Sequence, residues 1–318
     1  MKKILVLTSG GDASGMNAYV KALAKLCQKN NVELVASLYG FQGLVENSIM
    51  PINYDELGEI QNLGGTFIKT SRSKDFMLQE GFDKAVQNIK KHKVDCVVIV
   101  GGNGSFRGAN DLKKAGIEVL AVPATIDNDL AYTDKTLGYD TACQNALDAI
   151  IKIKQTMDAH DRGTIVEVMG RTCPDIAIFS ALLSDADLLV IDNMSFDDIL
   201  KRVNDIMDSG RKNPLIVVKE NILDVKELEK YLQEKTQKEF RATVIGYLQR
   251  GGEPTANDKL FALQLAYATI KKVVGGLYNY ALGIKDGTMI SERIDDAVAM
   301  EKEKDNALYE IFKQYAKK

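Results

Sequence analysis

The sequence predicts an α/β protein of two interleaved lobes, each a mainly parallel sheet flanked by helices. Three observations predict it. Short apolar runs alternate with segments of helical period, the order expected of a parallel sheet with crossover helices. The 318 residues, 45% hydrophobic and 27% charged, amount to about twice the commonest domain size, which favours two lobes. Only five prolines occur and no low-complexity linker or repeat separates the halves, so the chain must pass between lobes through packed crossovers.

The runs, in order, are Ile4 to Leu7, Val32 to Leu38, Cys96 to Val100, Val119 to Val122, Ile165 to Val168, Leu188 to Ile191, Leu215 to Val218 and Ala242 to Ile245. Consecutive aliphatic and β-branched residues suit strands buried on both faces, although a short run alone is also compatible with buried helix. The segments between them decide the class. Ala142, Ala146, Ile150 and Ile153 recur at helical spacing, as do Ile199, Val203 and Ile206. The expected lobes are residues 1–138 with 251–301, and 139–250 with 302–318.

Charge and cysteine usage narrow the partners. A net charge of -3 provides no basic face for nucleic acid. Cys27, Cys96, Cys143 and Cys173 lie far apart with no C-x-x-C pair. They read as reduced thiols of a cytoplasmic protein, not as a disulfide framework or zinc knuckle. The opening MKKILVLTSGG has too short an apolar run for a signal peptide, and no segment reaches the roughly 18 apolar residues of a membrane span. His92 and His160 lack metal-ligand company, which argues against zinc chemistry.

Three strand ends carry unusual loops, the places where doubly wound sheets bind ligands. Thr8 to Asn17 reads TSGGDASGMN, and a helix expected from near Gly15 would aim its free N–H groups at an anion. The loop has neither the lysine of a Walker A motif nor the G-x-G-x-x-G spacing. Gly101 to Ser105 reads GGNGS and suits a second phosphate cradle. Pro123 to Asp129 reads PATIDND; on an extended backbone Thr125, Asp127 and Asp129 would share one side. Taken singly, each loop is equally a tight glycine or Asx turn. Together with Arg72, Arg162, Arg171, Arg241 and Arg250, they describe phosphoryl transfer to a sugar phosphate.

The ordered blocks LTSGGDASGMNA, YGFQGL, GGT, TSR, GGNGS, PATIDND, VEVMGR, KEN and RATVIGYLQRGG resemble the bacterial-type ATP-dependent 6-phosphofructokinases, and the likeness covers nearly the whole chain. The resemblance implies transfer of the ATP γ-phosphoryl to the 1-hydroxyl of fructose 6-phosphate with Mg²⁺. It makes Asp127 the general base, and Arg72, Arg171 and Thr125 its catalytic companions. Gly11, Arg72, Gly102, Asn103, Gly104 and Ser105 would hold ATP. Thr125, Asp127, Asp129, Met169, Gly170, Arg171, Glu220, Tyr247 and Arg250 would hold the sugar. Arg162 and Arg241 would reach the 6-phosphate of a neighbouring subunit in a homotetramer. An ADP or phosphoenolpyruvate effector would fall to Lys21, Lys25, Tyr54, Lys154, Asp187 and Arg211.

Several positions depart from the family pattern. Asn103 stands where the family has a metal-binding aspartate, which implies weaker Mg²⁺ binding and slower turnover. Asn103-Gly104 is a deamidation-prone pairing whose conversion would restore the acid. Tyr247 replaces a histidine, Lys69 a common glycine, and Ala124 a glycine of PGTIDND. Tyr54 and the lysines of the effector set imply weak or altered allostery. The pyrophosphate-dependent branch carries lysine at position 124 and aspartate at position 104, and this chain has neither. The alternatives left are a catalytically weak or regulatory paralogue, a pyrophosphate-dependent enzyme, and a kinase of the wider superfamily that acts on NAD or a lipid.

Overall fold

The structure, a computed structural model, describes residues 1–302 and 307–316. It divides into two compact units, Met1–Thr141 with Arg250–Lys302, and Ala142–Gln249 with the C-terminal helix.

The first unit begins with β1 (Lys2–Thr8), α1 (Met16–Lys29), β2 (Val32–Ser37), α2 (Phe41–Glu46) and β3 (Ile49–Pro51). It continues with α3 (Gln79–Lys91), β4 (Cys96–Gly101), α4 (Asn103–Lys114) and β5 (Val119–Pro123). Helix α5 (Tyr139–Ala159) carries the chain into the second unit, which holds β6 (Gly163–Val168), α6 (Asp175–Leu183), β7 (Leu188–Val190) and α7 (Phe196–Asp208). It then adds β8 (Leu215–Lys219), α8 (Val225–Thr236) and β9 (Phe240–Val244). The chain returns to the first unit for α9 (Ala256–Gly275), β10 (Tyr280–Lys285), β11 (Thr288–Arg293) and α10 (Ile294–Ala299); α11 (Ala307–Tyr315) packs on α6. Among the described residues no helix is long and apolar enough to cross a membrane.

The expected α/β class holds. The first sheet has the order β11-β10-β5-β4-β1-β2-β3 and the second β7-β8-β6-β9. All pairs in the second are parallel, and in the first only β2–β3 and β10–β11 are antiparallel. The eight expected strands are present, with ends shifted: β2 stops at Ser37, β7 at Val190, and β9 runs from Phe240 to Val244. Strands β3, β10 and β11 were not expected from the sequence. In the first sheet β1 leads to β2 on one side while β4 leads to β5 on the other. The order reverses between β1 and β4, so the loops at their carboxyl ends flank the switch point where such sheets bind ligands.

The buried stripes follow the sequence pattern. In α7, Ile199, Val203 and Ile206 face Ile165, Val190, Ile216 and Val218 of the second sheet. In the first unit, Leu5, Leu7, Val97, Ile99, Val119 and Ala121 form one wall with Phe106, Ala109 and Leu112 of α4.

Candidate functional site

The loop after β1 is held open by backbone rather than by bulk. Gly15 takes φ +103° at the N-cap of α1, and a Cβ there would strike the Leu137 side chain. Ser14 fastens the cradle from one side, its hydroxyl donating to the Gly252 carbonyl at 3.1 Å. From the other side, the Thr70 hydroxyl donates to the Gly10 carbonyl at 2.9 Å. Thr8 donates to the Lys69 carbonyl at 2.8 Å, and Lys69 itself sits at φ +61°, where a glycine would be unstrained. These bonds tie the loop carrying exposed Arg72 to the cradle. Arg250 pairs with Asp12, and its guanidinium lies beside Gly11, 3.1 Å from where a Cβ would stand. Neither Asp12 nor this pairing was singled out from the sequence.

The second cradle touches the first. A Cβ on Gly10 would meet the Ser105 hydroxyl at 3.6 Å, and Ser9 N–H donates to the Val100 carbonyl at 2.9 Å. Helix α4 starts at Asn103, so Asn103, Gly104 and Ser105 form its first turn and offer free N–H groups. A Cβ on Gly102 would press on Thr125 at 3.2 Å, while Gly104 faces open space. Asn103 lies in the first turn of α4, and helical backbone disfavours the succinimide closure that deamidation requires. The expected chemical rescue of Asn103 therefore has no support in the local structure.

The third loop corrects the extended reading. The chain turns at Ile126 and Asp127, and Asn128 adopts φ +52°. Thr125 causes this, because its hydroxyl accepts from the Asp127 N–H at 3.2 Å and competes with the extended form. Asp127 ends up 5% exposed. Asp129 instead meets Asn103, whose amide donates to the Asp129 carboxylate at 2.9 Å and to its carbonyl at 3.1 Å. The other Asp129 oxygen, Oδ1, is buried without a hydrogen-bond partner. That orphaned oxygen fits a hard dication or a donor on a bound ligand. Among the described residues no three His, Cys, Asp or Glu side chains gather as a metal cage. Mg²⁺ would thus fit as an ion carried mainly by phosphate oxygens and water, with Asp129 and Asn103 beside it.

The second unit holds its residues at the carboxyl ends of β6, β8 and β9. A cavity of about 160 Å³ is lined by Glu167, Val168, Met169, Glu220, Val244, Gly246 and Tyr247. Glu220 accepts from the N–H groups of Gly170 (3.0 Å) and Arg171 (2.8 Å). Partial burial and the nearby Glu220 carboxylate push the Glu167 carboxyl above its ordinary value. Glu167 lies within VEVMGR but was not chosen from the sequence, because a glutamate in a strand carries no distinguishing mark. Tyr247 is 78% exposed.

Arg162 and Arg241 share a counter-ion. Arg162 Nε pairs with Glu239 at 2.7 Å, and Arg241 pairs with the other Glu239 oxygen and with Glu229 at 3.4 Å. The Arg162 and Arg241 guanidinium groups hold the Glu239 carboxyl below its ordinary range. Both arginines are thereby presented side by side, oriented by one carboxylate.

The residues expected to bind an effector fall in both units. In the first, Lys21 and Lys25 lie 5.9 and 5.4 Å from the Tyr54 ring centre, and Lys21 donates to Gln61 at 2.7 Å. In the second, Lys154 donates to the Ser184 carbonyl at 3.1 Å and Arg211 pairs with Asp187 at 3.0 Å. Arg211 Nη2 is buried without an acceptor.

Sheet order and loop placement define a doubly wound α/β protein with anion-binding turns at its strand ends. The chain belongs to the phosphofructokinase family, whose model matches residues 3–273. It is 38% identical over 315 residues to the ATP-dependent 6-phosphofructokinase of Clostridioides difficile (strain 630), covering 98% of this chain and 99% of that one. An enzyme of the same name from Clostridium botulinum (strain Hall) is 38% identical over 313 residues, covering 98% of each. Among solved structures, Saccharomyces cerevisiae phosphofructokinase superposes with a TM-score of 0.87 at 26% identity, covering 94% of this chain and 45% of that one. The pyrophosphate-dependent phosphofructokinase of Marinobacter aquaeolei has a TM-score of 0.84 at 18% identity, covering 95% of this chain and 85% of that one. It speaks for the fold alone.

Proposed function

We propose that this protein transfers the γ-phosphoryl of ATP to the 1-hydroxyl of fructose 6-phosphate, giving fructose 1,6-bisphosphate and ADP. The observation that carries the reading is the buried Asp127 carboxylate, held on a Thr125-capped turn at the end of β5, next to two mutually touching glycine cradles. Asp127 takes the hydroxyl proton as the oxygen attacks. Gly11, the 102–105 turn and Arg72 hold the donor phosphates, with Mg²⁺ neutralising charge on them. Arg171 meets the charge that develops on the transferred group. In the second unit Met169, Gly170, Glu220 and Tyr247 serve sugar binding; in the first unit Thr125 and Asp129 serve it. Arg250, beside Gly11, belongs with the residues that hold the sugar phosphate.

Arg162 and Arg241 serve the 6-phosphate of a neighbouring subunit in a cytoplasmic homotetramer, which their shared orientation by Glu239 supports. The orphaned Arg211 nitrogen supports an anionic effector among Arg211, Lys154 and Asp187 of the second unit; Lys21, Lys25 and Tyr54 are the effector candidates of the first unit. ATP is favoured over pyrophosphate because Ala124 and Gly104 add neither charge.

A coupled assay of fructose 1,6-bisphosphate formation at graded Mg²⁺ tests the reading, run beside Asn103→Asp. In the parent, the uncharged Asn103 amide donates to one Asp129 carboxylate oxygen and leaves the other without a partner. The variant puts a second carboxylate against the first, and only a cation relieves the repulsion. Asn103→Asp is expected to lower the Mg²⁺ concentration for half-maximal rate about tenfold. Its melting temperature should also rise with Mg²⁺ more than the parent's does. No product from either protein would sink the catalytic reading and leave the binding role that Asn103 otherwise suggests.

A further inference from the structure

Residue 171 occupies a conformation that its side chain disfavours. Arg171 takes φ +50°, in the left-handed region that non-glycine residues disfavour. It follows Gly170 at φ +143°, where a Cβ would strike the Cys173 carbonyl. A turn like this persists only if its surroundings fix it.

Two consecutive residues at the end of β8 do so. Glu220 Oε1 accepts from the Arg171 N–H at 2.8 Å and from the Gly170 N–H at 3.0 Å. Lys219 Nζ donates to the Arg171 carbonyl at 2.7 Å. Both polar groups of the Arg171 backbone are therefore taken by side chains. The register explains the reach: Val168 lies opposite Lys219, and the Glu220 N–H donates to the Val168 carbonyl at 2.8 Å. The turn after β6 thus sits directly beside the end of β8. Successive strand residues project to opposite sides, so the two side chains grip the residue from both.

Lys219 is the unexpected half of this grip, being only 7% exposed. Burying an ammonium is expensive, and an apolar side chain of equal length serves a fold better. Stability alone does not account for a lysine at this position. We propose that Lys219 is a positioning residue for Arg171: with Glu220 it locks the left-handed turn and so fixes where the Arg171 guanidinium points. The inference rests on the proposed phosphoryl transfer, in which Arg171 meets the transferred group.

The test is a double-mutant cycle on the full-length protein, reading fructose 6-phosphate phosphorylation, sugar-phosphate affinity by calorimetry, and melting temperature. Lys219→Met keeps length and removes the donor. It is expected to lower kcat about 10- to 100-fold, the loss typical of a misplaced catalytic group, with the melting temperature unchanged or raised. Lys219→Arg, which keeps a donor, should recover part of the loss. In an Arg171→Ala background, Lys219→Met should have almost no further effect, because the residue it positions has gone. Equal losses in both backgrounds, or a loss that tracks a fall in melting temperature, would overturn the inference and leave Lys219 a structural residue. A parent that binds and phosphorylates fructose 6-phosphate while Lys219→Met matches it overturns the inference alone. A parent that does neither overturns the functional reading and this inference with it.

Discussion

Asp127→Asn is expected to lower kcat by roughly 10³-fold, within the range for loss of a general base, while ATP affinity and melting temperature stay near the parent values. The substitution keeps the shape of a side chain that is 5% exposed, and the Asp127 N–H still donates to the Thr125 hydroxyl. What it removes is the basic carboxylate oxygen to which the proposed mechanism assigns the sugar proton. Steady-state kinetics with both substrates checks the assignment. A loss confined to the KM for ATP would move Asp127 from proton transfer to donor binding.

The second large effect concerns stability and lies outside the reacting groups. Asp258 is 2% exposed and receives three donors: the Gly138 N–H at 2.9 Å, the Thr141 N–H at 2.8 Å and the Thr141 hydroxyl at 2.6 Å. It thereby fixes the start of α5 against α9, whose own N-cap, Thr255, accepts from the Asp258 N–H at 3.2 Å. Asp258→Ala strands three buried donors and is expected to destabilise the first unit by about 3 kcal/mol, measured by urea unfolding. Burial, opposed by those hydrogen bonds and joined by the nearby Asp140 charge, leaves the Asp258 carboxyl above its ordinary value. A raised folded-state value means that the acid form is the one favoured by folding. The contribution is therefore fully present below the ordinary carboxylate range and is lost as pH rises through the raised value. Asp258→Ala should abolish that component of the pH dependence.

What the sequence made legible was whatever is decided locally. Strands such as Cys96–Gly101 and Leu215–Lys219 are buried along their whole length, so burial on both faces wrote itself as an unbroken apolar run. The antiparallel strands left no such mark. Ile49–Pro51 has three residues and ends in proline, and Thr288–Arg293 is only partly buried and pairs on one side. In Tyr280–Lys285 the apolar run is interrupted by Gly283, where a Cβ would crowd Tyr132 and Thr133. The cradles were legible because glycine is required by their backbone. The turn at Asp127 was missed because one hydroxyl, that of Thr125, outweighed the extended preference of the segment. The Asp12–Arg250 pair and the Asp258 contacts join residues more than a hundred positions apart, beyond the reach of any local pattern.

The bond between Asn103 and Asp129 has a consequence for ion choice. A cage of several carboxylates distinguishes cations by radius and coordination number, because its oxygens are fixed before the ion arrives. Here the nearest carboxylate is already occupied on one oxygen by an amide, and the ion would keep mostly the ligands it brings on the nucleotide. Polyphosphate oxygens discriminate poorly between Mg²⁺ and Mn²⁺. Replacing one ion with the other should therefore change the rate of this protein little, and should change that of its Asn103→Asp counterpart much more.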